Sequence, residues 1–398
     1  MDANYLIIGG GLAGEAAVEG IREKDPKGSI VLVSTEPDLP YDRPPLSKKL
    51  WTGGQSEAEV TLHPAEFYRE RGVELRLGRT ITSLDRRQRV ARDDQNGEYR
   101  FERLLLAVGG TPKKLKTPGG DLPGIFYYRT LADYRRARSL AAAGKSAVVI
   151  GGGFIGSEMA AALAHNGLQV TMVFPEEYLV RRVFPEGLGR ALNAAYQAKG
   201  VRLLHGDVPA GIEAQGEGFR VRTRGGENLT ADLLIAGLGI TPNLELARAA
   251  GLAVGDGVVV NERLETSDAN ILAAGDLAYF PEAVLGPRRI EHWDNAVTQG
   301  RHAGRNLAGA AEAFTALPFF YSDLFEFGYE AVGEVDSRLE TWADWQEENK
   351  TGVIYYLSGG KVRGAMMCNV WDKVETARTL IRAQRSVARP ADLKGAIA

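Results

Sequence analysis

The feature that most constrains the fold is a glycine pattern that occurs twice. The segment "YLIIGGGLAGEAAVEGIREKDPKGSIVLVSTE" has the pattern of a buried strand, a glycine turn, a helix and a second strand that ends beside an acid. Gly9, Gly11 and Gly14 have G-x-G-x-x-G spacing. They allow, in order, a tight turn, close approach of the backbone to a pyrophosphate, and close packing of the helix on the strand. Glu36 lies about twenty residues on, where a carboxylate can accept hydrogen bonds from a ribose.

The second copy is "SAVVIGGGFIGSEMAAALAHNGLQVTMVFPEE". Its glycines are Gly151, Gly153 and Gly156, and Glu176 follows at the matching distance. One such glycine cluster can arise by chance, but two copies with strand, helix and acid in register are hard to explain that way. The chain is therefore predicted to bind two dinucleotides.

Three further segments have small residues directly after a strand. The segments "LLLAVGGTPKK" (104–114) and "LLIAGLGITPN" (233–243) each run from a buried strand into small residues and a proline. This is typical of a chain that leaves one domain for the next, although ordinary strand-turn units would look the same. In "TSDANILAAGDLAYF", Asp276 is either a ligand for a polyol or a simple helix N-cap.

Composition excludes several classes of function. The chain has 398 residues and a net charge of -3, with no long Lys/Arg run, so neither nucleic acid nor a membrane surface is expected as the main partner. No apolar run approaches the ~18 residues of a spanning helix. The first strand begins near Tyr5, which leaves no room for a signal peptide before it, so a cytoplasmic protein is expected. Cys368 is the single cysteine, which excludes an intrachain disulfide, a redox dithiol and a cysteine-based metal site. No His, Asp or Glu cluster has metal-ligand spacing, so no metal is predicted.

With both glycine loops, both strand-proline segments and "AAGD" in place, the chain resembles the flavoprotein pyridine-nucleotide reductases of the glutathione-reductase structural type. The elements "PYDRPPLSK", "GGGFIGSE", "EHWDNA" and "GYEAVG" make it most similar to apoptosis-inducing-factor-like and ferredoxin-reductase-like flavoproteins. This resemblance implies an α/β fold with two Rossmann-like domains, for FAD and NAD(P)H, and a C-terminal α+β domain. The implied boundaries are 1–113 with 242–313 for FAD, 114–241 for NAD(P)H, and 314–398 for the last domain.

The resemblance also assigns roles in "LPYDRPPLSKKLW". Arg43 matches an arginine that meets the FAD phosphates, and Lys48 matches a lysine beside the flavin ring, where a cation stabilises the reduced flavin. A solvated charged loop is the alternative. Glu158 matches the partner of that lysine, although a glutamate on the first turn of a helix can simply complement the helix dipole. Phe154 matches an aromatic gate over the flavin, and Tyr321 an aromatic that closes over the active site, but both could be core residues.

The resemblance implies three sets of site residues. The expected catalytic residues are Lys48, Glu158, Phe154 and His292. The expected FAD contacts are Gly9, Gly11, Leu12, Ala13, Gly14, Thr35, Glu36, Arg43, Lys48, Ile81, Ala107, Gly109, Arg129, Asp276, Glu291, His292 and Trp293. The expected NAD contacts are Gly151, Gly153, Phe154, Ile155, Gly156, Glu158, Glu176, Arg182, Gly239, Glu291 and Tyr321. The acid of the relatives directly follows "VS", where this chain has Thr35, so either Thr35 or Glu36 binds the FAD ribose.

The function implied is that of an FAD-dependent NAD(P)H oxidoreductase. Hydride passes from NADH to the flavin, and electrons then pass to ferredoxin, a quinone or a small oxidant. NADH is preferred because Glu176 would repel a 2′-phosphate, although Arg181 and Arg182 leave NADPH possible. The alternative is an NADH-responsive redox sensor that forms a long-lived charge-transfer complex and turns over slowly. The protein could be a monomer or a homodimer, and one cysteine argues against a disulfide reductase.

Overall fold

The computed structural model describes residues 1–397, which fold into two compact units. Unit 1 comprises Met1–Arg43, Glu57–Thr111 and Thr241–Pro318. Unit 2 comprises Pro44–Ser56, Pro112–Ile240 and the chain from Phe319 onward. The three-domain boundaries given above remain a prediction.

The strands are, in chain order, β1 (Asp2–Ile8), β2 (Ile30–Ser34), β3 (Val73–Leu77), β4 (Ile81–Asp85), β5 (Val90–Asp93), β6 (Glu98–Leu106), β7 (Gly110–Pro112), β8 (Ser146–Ile150), β9 (Gln169–Phe174), β10 (Arg202–His205), β11 (Pro209–Gln215), β12 (Gly218–Thr223), β13 (Asn228–Ala231), β14 (Leu233–Ala236), β15 (Ile240–Pro242), β16 (Val258–Val259), β17 (Ile271–Ala273), β18 (Ala278–Glu282), β19 (Gly286–Arg288), β20 (Phe319–Leu324), β21 (Phe327–Gly333), β22 (Glu340–Glu347), β23 (Thr351–Ser358) and β24 (Lys361–Cys368).

The α-helices are α1 (Leu12–Lys24), α2 (Lys49–Thr52), α3 (Glu57–Val60), α4 (Ala65–Glu70), α5 (Leu131–Leu140), α6 (Phe154–His165), α7 (Glu186–Ala198), α8 (Glu245–Ala249), α9 (Trp293–Leu307) and α10 (Val374–Arg382). Short 3-10 helices cover Pro44–Ser47, Gly275–Leu277 and Pro390–Leu393. Within residues 1–397, no helix combines the length and the apolar content that crossing a membrane requires.

Unit 1 is built on a sheet whose parallel strands run in the order β3-β2-β1-β6, with β17 also paired to β6. Every residue of β2 is buried, as expected for a parallel strand that is covered on both faces. Helices α1 and α9 cross in close backbone contact, since a Cβ at Gly300 would lie 2.2 Å from the carbonyl oxygen of Ala13. This packing fixes the start of α1 against the middle of α9.

Unit 2 contains a four-stranded parallel sheet, β10-β9-β8-β14, and the antiparallel sheet β11-β12-β13. It also contains a five-stranded antiparallel sheet in the order β20-β21-β24-β23-β22, against which α10 packs. Parallel sheets with helices in one part and an antiparallel sheet with a helix in another confirm the predicted α/β class with an added α+β part.

Candidate functional site: two nucleotide cradles and a buried charge pair

The first glycine loop, in unit 1, joins β1 to α1 with an open backbone surface. Gly9 has a φ of +119°, and a Cβ there would lie 2.2 Å from the carbonyl oxygen of Ala107. A Cβ at Gly14 would lie 1.9 Å from the Gly9 oxygen, so these two positions need glycine for close packing. At Gly11 the nearest atom to a Cβ is the Arg43 Nη2, 4.0 Å away. The middle glycine therefore faces open space beside a cation, as a pyrophosphate requires.

The acid predicted for the first ribose lies beside this cradle. Arg43 donates from Nη2 to the Glu36 Oε1 at 2.5 Å, and the Tyr41 hydroxyl donates to the other carboxylate oxygen, also at 2.5 Å. Thr35, the alternative ribose ligand, is exposed. The structure thus holds Glu36 and Arg43 together, and Tyr41, which sequence reasoning missed, orients the carboxylate.

The segment "AAGD" and the start of α9 supply the remaining candidate site residues of unit 1. The Gly275 N–H donates to the Gln299 Oε1 at 2.9 Å, and the Gln299 Nε2 is buried with no hydrogen-bond partner in residues 1–397. His292 is the N-cap of α9 and is half-buried. Burial lowers the pKa of the His292 imidazole to about 4, although the charge of Asp276 opposes this. The ring is therefore neutral at neutral pH.

The neighbours of His292 are fixed by polar contacts within unit 1. The Trp293 Nε1 donates to the Asp42 Oδ1 at 2.7 Å, while the indole itself is exposed. Glu291 is exposed and forms an ion pair with the Arg289 Nη1 at 2.6 Å. The same Arg289 nitrogen donates to the backbone oxygen of Asp276 at 2.9 Å, which ties "EHWDNA" to "AAGD".

The second glycine loop, in unit 2, repeats the geometry of the first. Gly151 has a φ of +109°, and a Cβ at Gly156 would lie 2.0 Å from the Gly151 oxygen. A Cβ at Gly153 would meet no atom of the described chain within 4 Å. The Glu176 Oε2 is buried and has no hydrogen-bond partner in the described residues. An open cradle and an unpartnered carboxylate oxygen fit a pyrophosphate and the hydroxyls of a ribose.

The predicted ion pair between Lys48 and Glu158 is present in unit 2. The Lys48 Nζ lies 3.1 Å from the Glu158 Oε1, and the two side chains are 14 % and 7 % exposed. Glu158 also accepts hydrogen bonds from the Ser47 and Ser322 hydroxyls, each at 2.5 Å. Glu158 is the fifth residue of α6 and not in its first turn, so the helix-dipole alternative is wrong. Its position is explained by the three partners.

Aromatic side chains surround this pair. The Lys48 Nζ lies 4.9 Å from the centre of the Tyr321 ring, a cation-π distance, and Tyr321 is 37 % exposed. Phe154 is half-buried and contacts Phe320 edge to face at 5.6 Å, while Ile155 is exposed. Neither Tyr321 nor Phe154 is therefore a fully buried core residue.

A cavity of about 400 Å³ in unit 2 opens beside the pair. It extends along α6 from Glu158 past Ala161 and Ala162 to His165, where the small alanine side chains leave room. Lys48 and Glu158 both line the cavity, although their side chains are largely buried.

The remaining predicted contacts are distributed between the two units. In unit 1, Leu12 and Ala13 begin α1 and are buried, as are Ile81 and Ala107, and Gly109 has a φ of +59°. In unit 2, Arg129 and Gly239 precede α5 and β15, and Arg182 is exposed. Arg129, predicted as an FAD contact, therefore does not share a unit with the first glycine loop.

The single thiol is removed from redox chemistry by burial. Cys368, the last residue of β24, has no exposed surface, and burial raises the pKa of its thiol far above its usual range. A buried, protonated and solitary thiol cannot relay electrons as a disulfide does.

Two cradles for dinucleotides, an acid at each and a buried lysine-glutamate pair define an oxidoreductase that uses two nucleotide cofactors. The chain belongs to the pyridine nucleotide-disulphide oxidoreductase family, whose model matches residues 3–300. It is an NAD(P)H oxidoreductase with FAD as its cofactor and NADH as its reductant, as the sequence predicted.

Known relatives agree with this family. The chain is 33 % identical over 385 residues to the ferredoxin–NAD(+) reductase component of the anthranilate 1,2-dioxygenase system of Burkholderia cepacia. This alignment covers 95 % of the present chain and 94 % of the Burkholderia protein. The chain is 31 % identical over 430 residues to apoptosis-inducing factor 1, mitochondrial, of Dictyostelium discoideum, covering 99 % and 81 %. The crystal structure of the covalent putidaredoxin reductase–putidaredoxin complex matches with a TM-score of 0.92 at 31 % identity, covering 98 % and 95 %. The predicted resemblance to both groups of flavoproteins is confirmed.

Proposed function

We propose that the chain is the reductase of an electron-transfer pair, and that its acceptor is an iron–sulfur protein of the ferredoxin or rubredoxin type. The observation that carries the proposal is the pairing of two nucleotide cradles with one inaccessible thiol, Cys368. The chain has no dithiol that could relay electrons from the cofactor, so the electrons must pass directly to an external acceptor. The names of the Burkholderia reductase and of a rubredoxin–NAD(+) reductase from Pseudomonas putida, 34 % identical over 330 residues, support this class of acceptor.

The proposed FAD site is the open side of the first glycine loop. Gly11 leaves room for the pyrophosphate, and Arg43 supplies a guanidinium whose planar donors suit a phosphate. Glu36, rather than the exposed Thr35, is proposed to bind the ribose because it lies beside Arg43 and is only half exposed. The free Nε2 of Gln299 is a further donor for the cofactor.

Lys48 is proposed as the electrostatic partner of the flavin. FAD supplies the ability to accept a hydride and to release electrons one at a time. Lys48 stabilises the negative charge that develops on reduction, because Glu158 holds its ammonium in place. Ser47 and Ser322 fix Glu158 in turn, so the charge is positioned before the reaction and needs no rearrangement.

Glu176 is proposed to select NADH. One of its carboxylate oxygens has no partner in residues 1–397 and can accept from the ribose hydroxyls, whereas a 2′-phosphate would meet its negative charge. The exposed Arg182 nearby in sequence keeps some reaction with NADPH possible.

The test is a comparison of acceptors at a fixed NADH concentration. A [2Fe–2S] ferredoxin, a rubredoxin, a soluble quinone and oxygen are each supplied to the FAD-loaded enzyme. The proposal expects kcat/KM for one of the iron–sulfur proteins to exceed that for the quinone and oxygen at least about tenfold, equivalent to about 1.4 kcal/mol. Faster turnover with the quinone or with oxygen would overturn it.

A redox sensor is the second candidate, and the similarity to the Dictyostelium apoptosis-inducing factor over 99 % of this chain favours it. A sensor would turn over slowly with every acceptor in the same comparison and would keep its NADH-reduced form in air. For either function the proposed location is the cytoplasm. The proposed oligomeric state is a monomer or a homodimer.

A further inference from the structure

A second polar cluster lies in unit 1, outside the residues assigned to the cofactor. Glu15 and Glu19 are one turn apart on α1, and His63 lies just before α4. The His63 Nε2 is 3.2 Å from the Glu15 Oε1 and 3.3 Å from the Glu19 Oε1. The three candidate ligand atoms all lie within 4.8 Å of one another. Two carboxylate oxygens and one imidazole nitrogen thus converge on one point.

Hydrogen bonding does not satisfy this arrangement. The Nε2 of an imidazole carries at most one proton, yet two carboxylate oxygens face it. The Glu15 Oε1 is buried and has no hydrogen-bond partner in the described chain, and its side chain is 8 % exposed. One buried carboxylate oxygen of the cluster is therefore left without a partner.

Tyr68 gives independent support for a missing ligand. Its hydroxyl is buried with no hydrogen-bond partner among residues 1–397, and the side chain is 1 % exposed. Its ring meets the His63 ring edge to face at 6.3 Å. A second buried polar atom without a partner therefore belongs to a side chain that contacts His63.

Surrounding side chains hold the potential ligands in position. Phe67 stacks on the His63 ring with centres 3.6 Å apart and planes 6° apart. The Arg301 Nη1 lies 3.4 Å from the Glu19 Oε2, which leaves Oε1 directed at His63. Outer contacts of this kind orient ligands at metal sites.

We propose that Glu15, Glu19 and His63 form a binding site for one divalent transition-metal ion, with zinc as the best fit. Zinc accepts carboxylate oxygens and imidazole nitrogen at about 2.1 Å, so neighbouring ligand atoms of a tetrahedron lie about 3.4 Å apart. The two distances measured from Nε2 are close to that value. Magnesium is disfavoured because it prefers oxygen ligands alone.

The proposed site has an open fourth position. His63 and Glu19 are half-buried, so one side faces solvent and a water completes the coordination. A bound ion would link α1, directly after the first glycine loop, to the segment that carries His63 and Tyr68. It would therefore stabilise the half of unit 1 that holds the proposed FAD cradle.

The experiment measures zinc binding to the FAD-loaded protein by isothermal titration calorimetry, with magnesium as the comparison ion. One zinc per chain is expected, with a rise in melting temperature that magnesium does not cause. His63→Gln and Glu15→Gln should weaken zinc binding at least about 100-fold, and Tyr68→Phe about tenfold, as the loss of an outer contact does. His205→Gln and Glu213→Gln, at exposed positions of unit 2, are the matched controls and should bind as the wild type does.

Two outcomes would overturn the proposal. Absence of zinc binding to the wild type would show that the cluster is only a shared ion pair. Binding that persists in His63→Gln and Tyr68→Phe would place the ion elsewhere. These two variants decide the result even if Glu15→Gln, next to Gly14, fails to load FAD, because neither residue adjoins the glycine loop in sequence.

Discussion

At the residue scale, the contacts of Glu158 fix the position of the Lys48 ammonium before any cofactor reacts. Three groups contact the carboxylate of Glu158, namely the Lys48 ammonium and the hydroxyls of Ser47 and Ser322. The pair is nearly buried, and removing one partner of a buried pair is costly because the other charge is left uncompensated. Lys48 is therefore held in one place.

Lys48→Ala is expected to keep bound FAD but to slow its reduction by NADH by a factor on the order of 10², the cost of losing one preorganised electrostatic contact. Rapid-mixing absorbance of the flavin measures the rate. Lys49→Ala, at the exposed neighbouring position, is the control and should react as the wild type does. Unchanged reduction in Lys48→Ala would remove Lys48 from the active site.

Glu176→Ala is expected to narrow the preference for NADH over NADPH, because the carboxylate that would accept from one ribose and repel the phosphorylated one is gone. The ratio of kcat/KM for the two nucleotides should fall about tenfold, a change of about 1.4 kcal/mol. Glu177→Ala, which removes an exposed acid paired with Arg190, should leave the ratio unchanged. A constant ratio in Glu176→Ala would show that this acid does not select the nucleotide.

At the scale of elements, helices α1 and α6 each begin at a glycine whose backbone faces open space. The two loops differ in sequence but share the positions where a Cβ would collide and the position where it would not. The first and third glycines are thus needed for close packing, and the middle one is proposed to give room for the pyrophosphate.

Gly153→Ala and Gly156→Ala should separate these roles. Gly153→Ala should change the free energy of unfolding by less than about 1 kcal/mol and raise the KM for NADH about tenfold, since its methyl group would occupy the space of the pyrophosphate. Gly156→Ala should destabilise the protein by about 1–3 kcal/mol or more, because its Cβ would overlap the Gly151 oxygen. Urea unfolding and steady-state kinetics test both, and equal stability of the two variants would contradict the assignment.

The sequence predicted the elements that depend on local pattern. Both glycine loops, their helices and Glu176 were found because spacing over about thirty residues encodes a strand-turn-helix unit. The Lys48–Glu158 pair followed from the resemblance, since 110 residues separate the two positions and no local pattern links them.

Other contacts could not be predicted because they arise only from tertiary packing. Ser322 lies 164 residues from Glu158, and a serine in a strand carries no signal for such a bond. Tyr41 and Gln299 were missed for the same reason. Spacing rules likewise did not single out the proposed metal site, because His63 lies 44 residues after Glu19 and only the fold brings them together.

At the scale of the whole molecule, the lowered pKa of His292 should make the free energy of unfolding depend on pH. Its pKa is about 4 in the folded protein and about 6.5 in an unfolded chain. Between these values the unfolded chain binds a proton that the folded one does not, so stability falls as pH drops from about 6.5 to 4. The loss should reach up to about 3 kcal/mol, and above pH ~7 it should vanish.

His292→Asn, which keeps a good N-cap, should flatten this dependence. Urea unfolding of the FAD-loaded protein at pH 7 and pH 5 measures this dependence. The carboxylates also change the free energy of unfolding with pH, but variant and wild type share them, so their contribution cancels when the two proteins are compared. His205→Asn, at an exposed site, is the control. An equal loss of stability in wild type and His292→Asn would show that the imidazole is not kept neutral by burial.

The whole molecule also combines two cofactor cradles with one inert cysteine, which leaves a single course for electrons, from NADH through FAD to an outside acceptor. The most direct measurement is an anaerobic titration of the FAD-loaded protein with NADH, followed by absorbance, with a ferredoxin then added. One equivalent of NADH should bleach the flavin rapidly, and oxidised ferredoxin should restore its colour at once. Slow bleaching, with a long-wavelength absorbance that neither ferredoxin nor air removes, would rule out this course of electrons.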